Sequence, residues 1–341
     1  MADPVRVGIV GFGFMGRTHA GAYRWAAEHE GLPVEITTIA DGRGEAAFDA
    51  AGGNIGDSEM PIGASDVRVV TDASALFASE EVDLVSICTP TDTHVDLAIA
   101  ALDAGKSVLV EKPVATSADA VERLIAAAHS ARTRSGVICS PAKCMRFWPE
   151  WAWLKNTIVA GDLGPVHAAS FTRLGAAPAW SGFYADESLS GGAILDLHVH
   201  DVDFVLHCFG APTAVTSRGG SSHVSTLYDA AAGPGHVLAR GGWLRSPSFP
   251  FTMRYVVEFE QGVAEFDLAR GIPLLLHDGD GTRAIETPAG SGYDHQAAAV
   301  VRAVLDGGEP PVALSDALAS LRVIEAERAS LASGDRVRVR N

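Results

Sequence analysis

Residues 7–16 read VGIVGFGFMG, and this stretch decides the fold of the chain. An apolar run enters the turn Gly11-Phe12-Gly13-Phe14-Met15-Gly16, and a helical pattern follows it. In that strand-turn-helix context, G-x-G-x-x-G is the phosphate-binding turn of a dinucleotide-binding domain. Gly11 permits the tight turn, Gly13 lets the backbone approach a pyrophosphate, and Gly16 allows close packing of the helix. We therefore expect backbone amides at the start of this helix to bind the phosphates of a dinucleotide.

The first 140 residues alternate short apolar runs with longer amphipathic stretches, which is typical of β-α-β units and a parallel sheet. Several of the runs are apolar without alternation, as strands buried on both faces are. We therefore predict an α/β Rossmann domain over residues 1–140. The predicted strands are Val5–Val10, Val34–Ala40, Val67–Val70, Leu84–Ile87, Val108–Val110 and Val137–Cys139, and the clearest predicted helices are Val95–Asp103 and Ala118–Arg134.

The pattern changes from about Pro141, so residues 141–341 are predicted to form a second, α+β domain that binds substrate and mediates assembly. Its clearest signal is MRYVVEFEQGVAEFDLA, residues 253–269, in which two β-rich runs flank a hairpin turn at Gln261-Gly262. Because few helices are available to cover the broad faces of such a sheet, we expect a homodimer or homotetramer. The other predicted elements are a helix at Glu150–Val159, a strand at Val166–Arg173, and helices at His295–Leu305 and Ser315–Ser333.

Composition excludes several classes of function. Lys and Arg number 26 against 42 Asp and Glu, and the net charge of −16 would repel nucleic acid and anionic lipid. No apolar run approaches the roughly 18 residues of a membrane span, and the amino terminus has no signal-peptide pattern. We therefore expect a soluble, cytoplasmic protein without nucleic-acid or membrane partners. The cysteines form no C-x-x-C pair and are expected to be buried thiols; they are Cys88, Cys139, Cys144 and Cys208.

Asp41 ends the second predicted strand, about 25 residues beyond Gly16, where a ribose-binding carboxylate is expected. A carboxylate there accepts hydrogen bonds from the ribose hydroxyls and repels a 2′-phosphate, which favours NAD over NADP. Two alternatives stay open. Asp41 could merely cap a turn with Gly42, and Arg43 could pair a 2′-phosphate, which keeps NADP possible.

A lysine stands at the carboxyl end of another predicted strand, in Glu111-Lys112-Pro113. Open parallel sheets bind ligands at that end, so Lys112 is expected near the nicotinamide, where it could hold a substrate hydroxyl. A surface lysine in a loop is the alternative interpretation. A tight turn that aims Lys112 inward makes Lys112-Pro113 a candidate for a cis peptide bond.

Residues 191–210, GGAILDLHVHDVDFVLHCFG, predict one mostly buried helix with a polar stripe of Asp196, His200, Asp203 and His207 at i, i+4, i+7 and i+11. A buried polar line must be paired or face a cavity. A carboxylate one turn from a histidine can fix its tautomer and stabilise the imidazolium, so Asp196 and His200 suit a general base. A metal site is the competing interpretation, but His198 and His200 would point about 200° apart on a helix, so no metal is expected.

The combination of these motifs resembles the Gfo/Idh/MocA family, that of glucose-fructose oxidoreductase and inositol dehydrogenase. The resemblance rests on VGIVGFGFMGRTHA, SICTPTDTHVDLAIAALDAGKSVLVEKPVA and SGGAILDLHVHDVDF, with MRFWPE and ALASLRVIEAERAS as further similar segments. It implies a Rossmann domain followed by a domain with a large, mostly antiparallel open sheet. It also implies an NAD(P)-dependent dehydrogenase that acts on a carbinol carbon of a sugar, inositol or related polyol.

The resemblance further implies that Lys112, Asp196 and His200 form the catalytic group. Thr91 stands where an Asn is more usual in the family, and His198 replaces a common Gly. The expected cofactor-binding residues are Gly11, Phe12, Gly13, Phe14, Met15, Gly16, Asp41, Arg43, Thr89, Pro90, His94, Glu111 and Lys112; the expected substrate-binding residues are Lys112, Arg146, Asp196, His200 and Tyr293.

The mechanistic hypothesis is that His200 takes the hydroxyl proton of a substrate alcohol while hydride passes to C4 of the nicotinamide of NAD⁺. Asp196 orients His200, and Lys112 hydrogen-bonds the oxygen as it becomes a carbonyl. Two alternatives remain. One is an NAD-dependent glycosidase of the same fold, which releases free sugar with no net NADH. The other is a non-catalytic dinucleotide-binding regulator, and the retention of all three residues argues against it.

Overall fold

Six parallel strands form the first sheet of the chain, in the order β3-β2-β1-β4-β5-β6. A computed structural model describes residues 3–49, 62–178, 184, 186–231 and 233–340, apart from the side chains of residues 188 and 189. The strand order is that of a Rossmann domain, in which the carboxyl ends of β1 and β4 flank the point where the order reverses. The predicted α/β fold is thus confirmed. The strands are β1 Val5–Val10, β2 Val34–Ala40, β3 Arg68–Val70, β4 Leu84–Ile87, β5 Ser107–Val110 and β6 Cys139–Pro141.

Nine strands form the second sheet, in the order β14-β13-β12-β11-β7-β10-β9-β8-β15. The described pairs are antiparallel except for β7 and β10, which run parallel. Buried and exposed side chains alternate along β11, so one face of this strand packs on a core. The strands are β7 Val166–Ala176, β8 Pro212–Gly220, β9 His223–Ala230, β10 His236–Leu244, β11 Thr252–Phe259, β12 Gly262–Asp267, β13 Leu274–Asp278, β14 Gly281–Ala284 and β15 Val337–Arg338.

The predicted mostly antiparallel sheet is confirmed, and so is its hairpin. Phe259 pairs with Gly262, which leaves Glu260 and Gln261 as the two turn residues, one position earlier than predicted. Most predicted boundaries are correct to within two residues, but β7 ends three residues later than predicted, at Ala176, and the helix predicted from His295 begins three residues earlier, at Gly292. The last strand of the first sheet is displaced by two, because Val137 and Ile138 still belong to the connection that follows a helix.

The helices vary from single turns to twenty residues, and α10 is the longest of those described. No described helix has both the length and the apolarity that crossing a membrane requires. Short 3₁₀ turns lie at Gly44–Asp49, Ala64–Asp66, Thr91–Thr93 and Cys144–Arg146. The α-helices are α1 Phe14–Glu30, α2 Ala73–Phe77, α3 His94–Asp103, α4 Ala118–Ser135, α5 Pro149–Ala160, α6 Glu187–Ser190, α7 Gly192–Asp196, α8 Val199–Phe209, α9 Gly292–Leu305 and α10 Leu314–Ser333.

Packing divides the chain into two units: Met1–Phe147 with Gly290–Leu318, and Trp148–Ala289 with Ala319–Asn341. In the first unit, Val300 and Val301 of α9 join the same buried cluster as Phe12 and Tyr23. Residues 290–318 therefore pack with the six-stranded sheet, although they follow the predicted domain boundary after residue 140.

The predicted continuous helix over residues 191–210 is wrong, because α7 ends at Asp196 and α8 begins at Val199. The amides of Leu197 and His198 both donate to the carbonyl of Ala193, each at 2.9 Å. The second of these bonds spans five residues, so one residue is inserted into the turn, as in a π-bulge. The predicted polar stripe is consequently interrupted between Asp196 and His200.

Candidate active site

The phosphate-binding turn has the geometry that its glycines predict. Gly11 has φ +86°, and a Cβ there would lie 2.9 Å from the backbone of Cys88. A Cβ on Gly16 would lie 2.1 Å from the Gly11 carbonyl oxygen, which excludes any larger residue without a shift of the turn. At Gly13, by contrast, a Cβ would meet nothing within 4 Å. The space that Gly13 leaves open is where a pyrophosphate needs to approach the backbone.

The first turn of α1 is also left without a side-chain cap, because its N-cap is Gly13. Uncapped amides at a helix start, together with open space beside them, fit the phosphates of a dinucleotide. The ring of Phe12 is buried and packs on Phe48, with centroids 4.6 Å apart, so Phe12 presents its backbone to this site. Phe14 and Met15 are half-buried at the start of α1.

Asp41 lies beside this turn and is held there by two partners. Its Oδ2 accepts from the Phe12 amide at 2.9 Å, and Arg43 contributes its backbone amide and its guanidinium, at 2.9 to 3.0 Å. Burial raises the pKa of Asp41, but the hydrogen bonds from Arg43 and Phe12 outweigh it and lower the pKa to about 2. The residue expected at the ribose is therefore an ionised carboxylate that the Arg43 guanidinium already neutralises.

A second part of the site lies at the carboxyl ends of β4 and β5. His94 is 1% exposed, and its Nε2 lies 2.8 Å from the carbonyl oxygen of Thr89. Its Nδ1 lies 2.9 Å from the carbonyl oxygen of Pro113. Both ring nitrogens are thus engaged within the protein, and His94 joins the loop after β4 to the loop after β5. Thr89 is half-buried and Pro90 is exposed, so this turn presents an accessible edge.

Glu111 precedes Lys112 and is buried, with both of its oxygens used. Oε1 pairs with His19 Nε2 at 2.9 Å, and Oε2 accepts from the Lys112 amide at 3.0 Å. Burial lowers the pKa of His19, but Cys88 and Glu111 raise it to about 10. Burial raises the pKa of Glu111, but the hydrogen bond and the charge of His19 outweigh burial and lower this pKa below its usual value. The result is a buried imidazolium-carboxylate pair that fixes the backbone at Lys112.

Two further hydroxyl groups extend this pair. Ser86 Oγ lies 3.2 Å from His19 Nδ1 and 2.8 Å from the Tyr23 hydroxyl, and both side chains are buried. Lys112 itself is half-buried at the end of β5. The predicted cis peptide bond between Lys112 and Pro113 is confirmed. His19 was not among the predicted site residues, although its place in the second turn of the helix that follows the glycine turn was a usable signal.

Arg146 and Tyr293, the two other expected substrate residues, belong to the first unit. Arg146 pairs with Asp316 at 2.7 Å and is 12% exposed at its side chain. Tyr293 is half-buried and packs against the cluster around Phe12 and Tyr23. The four cysteines are free; Cys139 and Cys144 are buried as predicted, whereas Cys88 and Cys208 are half-buried.

Asp196 and His200, which belong to the second unit, are both half-buried and flank the break between α7 and α8. Asp201, next to His200, forms a buried ion pair with Arg173 of β7, with closest approach 3.0 Å. Asp203 is buried too, and its Oδ1 accepts from Ser320 at 3.3 Å. Of the three expected catalytic residues, Lys112 therefore lies in the first unit, and Asp196 and His200 lie in the second.

His198 lies between Asp196 and His200 and is fully buried. Its Nε2 lies 3.2 Å from Glu327 Oε1 on α10, and the Tyr228 hydroxyl donates to the same oxygen at 2.7 Å. From the sequence, His198 was a candidate metal ligand and a replacement for a Gly that is common in the family, with no predicted structural role. Within the described residues, no group of three or more His, Cys, Asp or Glu side chains is arranged to hold a metal ion.

Comparison with known proteins supports the assignment of a dinucleotide-binding oxidoreductase. Models of the oxidoreductase family with an NAD-binding Rossmann fold and of the GFO/IDH/MocA C-terminal domain match residues 5–138 and 151–237. Inositol 2-dehydrogenase of Rhizobium meliloti is 27% identical over 348 residues, 96% of this chain and 97% of that protein. The NAD⁺-dependent scyllo-inositol 2-dehydrogenase of Bacillus subtilis is 38% identical over 143 residues, 40% of this chain and 39% of that protein.

Among solved structures, levoglucosan dehydrogenase in complex with NADH and levoglucosan has a similar fold. Its TM-score is 0.83 at 20% identity, with 99% of this chain and 100% of that chain covered. The glycine turn, the strand order and the two family models agree with one another over more than half of the residues. The chain therefore belongs to the GFO/IDH/MocA family and is an NAD(P)-dependent oxidoreductase.

Proposed function

We propose that this oxidoreductase oxidises a secondary alcohol of a cyclic polyol or sugar, with NAD as the preferred cofactor. The observation that carries the proposal is the buried His19-Glu111 pair, which fixes Lys112 on the same sheet edge as the glycine turn. A polyol substrate is supported by the inositol 2-dehydrogenase of Rhizobium meliloti, which this chain matches over 96% of its length. We assign cofactor binding to residues 1–140 and substrate binding to residues 141–341.

In the proposed reaction, His200 accepts the hydroxyl proton of the substrate as its carbinol carbon loses hydride. Asp196 holds the imidazole of His200 in one orientation and stabilises its charged form. The Lys112 ammonium donates a hydrogen bond to the substrate oxygen, whose negative charge grows as the carbonyl forms. When bound, the nicotinamide supplies the hydride acceptor. Proton and hydride together account for the two hydrogens that an alcohol loses on becoming a ketone.

Glu111 and His94 act in this proposal through the backbone. Both oxygens of Glu111 and both ring nitrogens of His94 already have partners within the protein. Their role is to fix the loop after β4 at Thr89 and the loop after β5 at Lys112 and Pro113. The cofactor contacts of this region then come from Thr89, Pro90 and Lys112.

The preference for NAD is proposed to be modest, because Arg43 competes for Asp41. An ionised carboxylate offers about four acceptor positions, and Phe12 and Arg43 together donate four hydrogen bonds to Asp41. Ribose hydroxyls must displace part of this set before they can bind the carboxylate. A displaced Arg43 guanidinium is suited to a 2′-phosphate, which is why NADP remains an acceptable cofactor.

The decisive experiment is a panel of inositols, other cyclic polyols and aldoses, assayed with NAD⁺ and NADP⁺ for formation of reduced cofactor at 340 nm. We expect stoichiometric NADH and ketone from at least one cyclic polyol or sugar. Release of free sugar from a glycoside without net NADH would instead establish glycosidase chemistry. Tight NADH binding with no turnover of any alcohol would leave a binding protein.

Two further proposals concern the protein as a whole. We propose a homodimer or homotetramer, because the face of β11 opposite its buried side chains is exposed along Arg254, Val256 and Glu258, where a second copy of the sheet could cover it. Light scattering at micromolar concentration tests this, and a mass near 35.5 kDa contradicts it. A cytoplasmic location is proposed from the sequence and is testable by cell fractionation.

A further inference from the structure

We infer that the buried cluster of His198, Tyr228 and Glu327 is a positioning device that fixes His200 by holding open the turn between α7 and α8. The inference rests on the proposed function of His200 as the general base. It adds three residues from three separate segments to the machinery of proton transfer. We call these three residues the His198 cluster.

The helix breaks before Val199 because one residue is inserted into the turn at His198. A regular helix would place residue 198 one turn after residue 194, yet its amide bonds to Ala193 five residues back. The inserted residue lets the His198 side chain enter the core, where it is 0% exposed. Gly241 of β10 makes room for it, because a Cβ on Gly241 would lie 2.8 Å from the His198 Cβ. The break and the buried histidine are thus one feature.

Tyr228 and Glu327 hold His198 there. Tyr228 donates its hydroxyl proton to Glu327 Oε1 at 2.7 Å, and His198 Nε2 approaches the same oxygen at 3.2 Å. Because the oxygen of an ionised carboxylate only accepts, Nε2 of His198 is the donor toward Glu327. The Tyr228 oxygen is also 3.2 Å from Nε2. The three groups therefore form a closed set in which each restrains the other two.

The His198 cluster contains ionisable groups whose hydrogen bonds are only partly made. His198 Nδ1 and Glu327 Oε2 are buried and have no hydrogen-bond partner among the described residues. The charged groups facing the cluster are Asp201 of α8 and Arg173 of β7, which pair with each other at 3.0 Å. Buried ionisable pairs often add no stability compared with packed apolar side chains. His198 and Glu327 each keep one buried atom without a hydrogen-bond partner, so the pair is better explained by the orientation that it imposes on the chain than by a gain in stability.

The backbone connects the His198 cluster to His200. His198 and Asp201 are each anchored by a buried partner, and His200 lies between them on a chain segment of four residues. Anchors on both sides leave the backbone of His200 little freedom to rotate or shift. A displacement of about 1 Å at a catalytic group can cost about a hundredfold in rate. Loosening the His198 cluster should therefore reduce turnover without removing any group that touches substrate or cofactor.

The experiment uses the full-length protein with three variants, Tyr228→Phe, Glu327→Gln and Gly241→Ala. The matched control is Ser330→Ala, which removes a buried hydrogen bond between α10 and the Ser217 amide and leaves His198 untouched. For each we would measure kcat and KM with the substrate found in the panel, the Kd for NADH, and the melting temperature. We would also follow carbethoxylation of His200 by diethyl pyrocarbonate against pH, resolved by peptide mass spectrometry.

We expect the three cluster variants to lower kcat by about ten- to hundredfold, with the Kd for NADH within twofold of the unaltered protein. The pH dependence of His200 carbethoxylation should also change in them, because the surroundings of its imidazole would change. Ser330→Ala should leave both quantities unchanged even if it lowers the melting temperature. Tyr228→Phe keeps the ring and removes one hydroxyl, so it provides a folded variant if Glu327→Gln does not fold.

The inference is overturned if Tyr228→Phe and Gly241→Ala retain the kcat and the His200 titration of the Ser330→Ala control. The carbethoxylation readout needs no substrate. If the unaltered protein oxidises no alcohol, the proposed function fails. A changed His200 titration in the cluster variants would still support positioning by the His198 cluster. An unchanged titration would still refute it.

Discussion

The glycine turn at residues 11–16 and the broken helix at residues 192–209 differ in how far along the chain their causes lie. A Cβ on Gly16 collides with the carbonyl of Gly11, five residues earlier. At the break, His198 contacts Glu327, 129 residues later, and Tyr228. A site made of backbone can thus be specified by a short pattern, whereas the proposed proton-transfer side chains lie beside a histidine whose buried partners are distant along the chain.

His200→Ala is the strongest test of the broken helix as a catalytic element. Loss of a general base lowers kcat by about two to four powers of ten. The Kd for NADH should stay unchanged, because the glycine turn lies in the other unit. The initial rate of alcohol oxidation by the unaltered protein should rise with pH through a group that titrates near neutrality, and His200→Ala should lose this limb of the pH profile. A variant that keeps most of its activity and that limb would direct attention to Lys112 as the base.

Asp201→Asn tests how much stability the distant partners of the broken helix supply. The Arg173 guanidinium would stay buried with a weakened partner, and breaking such a pair typically costs about 3–5 kcal/mol. Urea unfolding followed by fluorescence measures the loss. Asp229→Asn is the control, because its pair with Arg336 is partly exposed and surface pairs contribute little. Equal losses in the two variants would show that burial of the Arg173 pair is unimportant.

Gly13→Ala and Gly16→Ala separate binding from folding in the glycine turn. Open space surrounds a Cβ at Gly13, so the melting temperature should hold while NADH binding weakens by about tenfold or more, equal to about 1.4 kcal/mol. At Gly16 the Cβ must displace the Gly11 carbonyl, so stability and binding should fall together. Fluorescence titration and thermal melting report the two effects. Unweakened NADH binding by Gly13→Ala would mean that the phosphates approach elsewhere.

Arg43→Ala sharpens the comparison at the ribose position. Removing the guanidinium frees acceptor positions on Asp41 and exposes its charge, so NAD should bind more tightly and NADP more weakly. We expect the ratio of their Kd values to change by about tenfold, a difference of about 1.4 kcal/mol. Asp41→Ser should change the ratio in the opposite direction. Identical ratios in both variants would exclude this pair from cofactor selection.

The smallest effect concerns pH. The folded pKa of Asp41, about 2, lies below the usual value, so its contribution to stability is present above the unfolded pKa of about 3.9. That contribution is lost only as pH falls towards 2. The ratio of NAD to NADP affinity should therefore stay constant between about pH 5 and pH 8 once the titration of the 2′-phosphate is subtracted. A step in the corrected ratio within that window would identify another group as the determinant.

The sequence was sufficient for the parallel sheet of the first unit, the cis bond at Lys112 and the hairpin after Phe259, since each is signalled by residues that are close together along the chain. It was insufficient for the break before Val199, because helical periodicity cannot show that a histidine finds its partner on α10. The same limit applies to His19 and Glu111. Each looks ordinary alone, and only the parallel sheet brings them to 2.9 Å.

The return of α9 to the first unit has a consequence for how the protein is made. A ribosome that has completed β6 has synthesised the whole six-stranded sheet, but Val300 and Val301 still lie far ahead in the message. Until they emerge, the apolar surface around Phe12 and Tyr23 lacks part of its cover. The amino-terminal fold therefore waits on the translation of eight of the nine strands of the second sheet, β7 to β14. A nascent chain in that interval exposes apolar surface of the kind that chaperones bind.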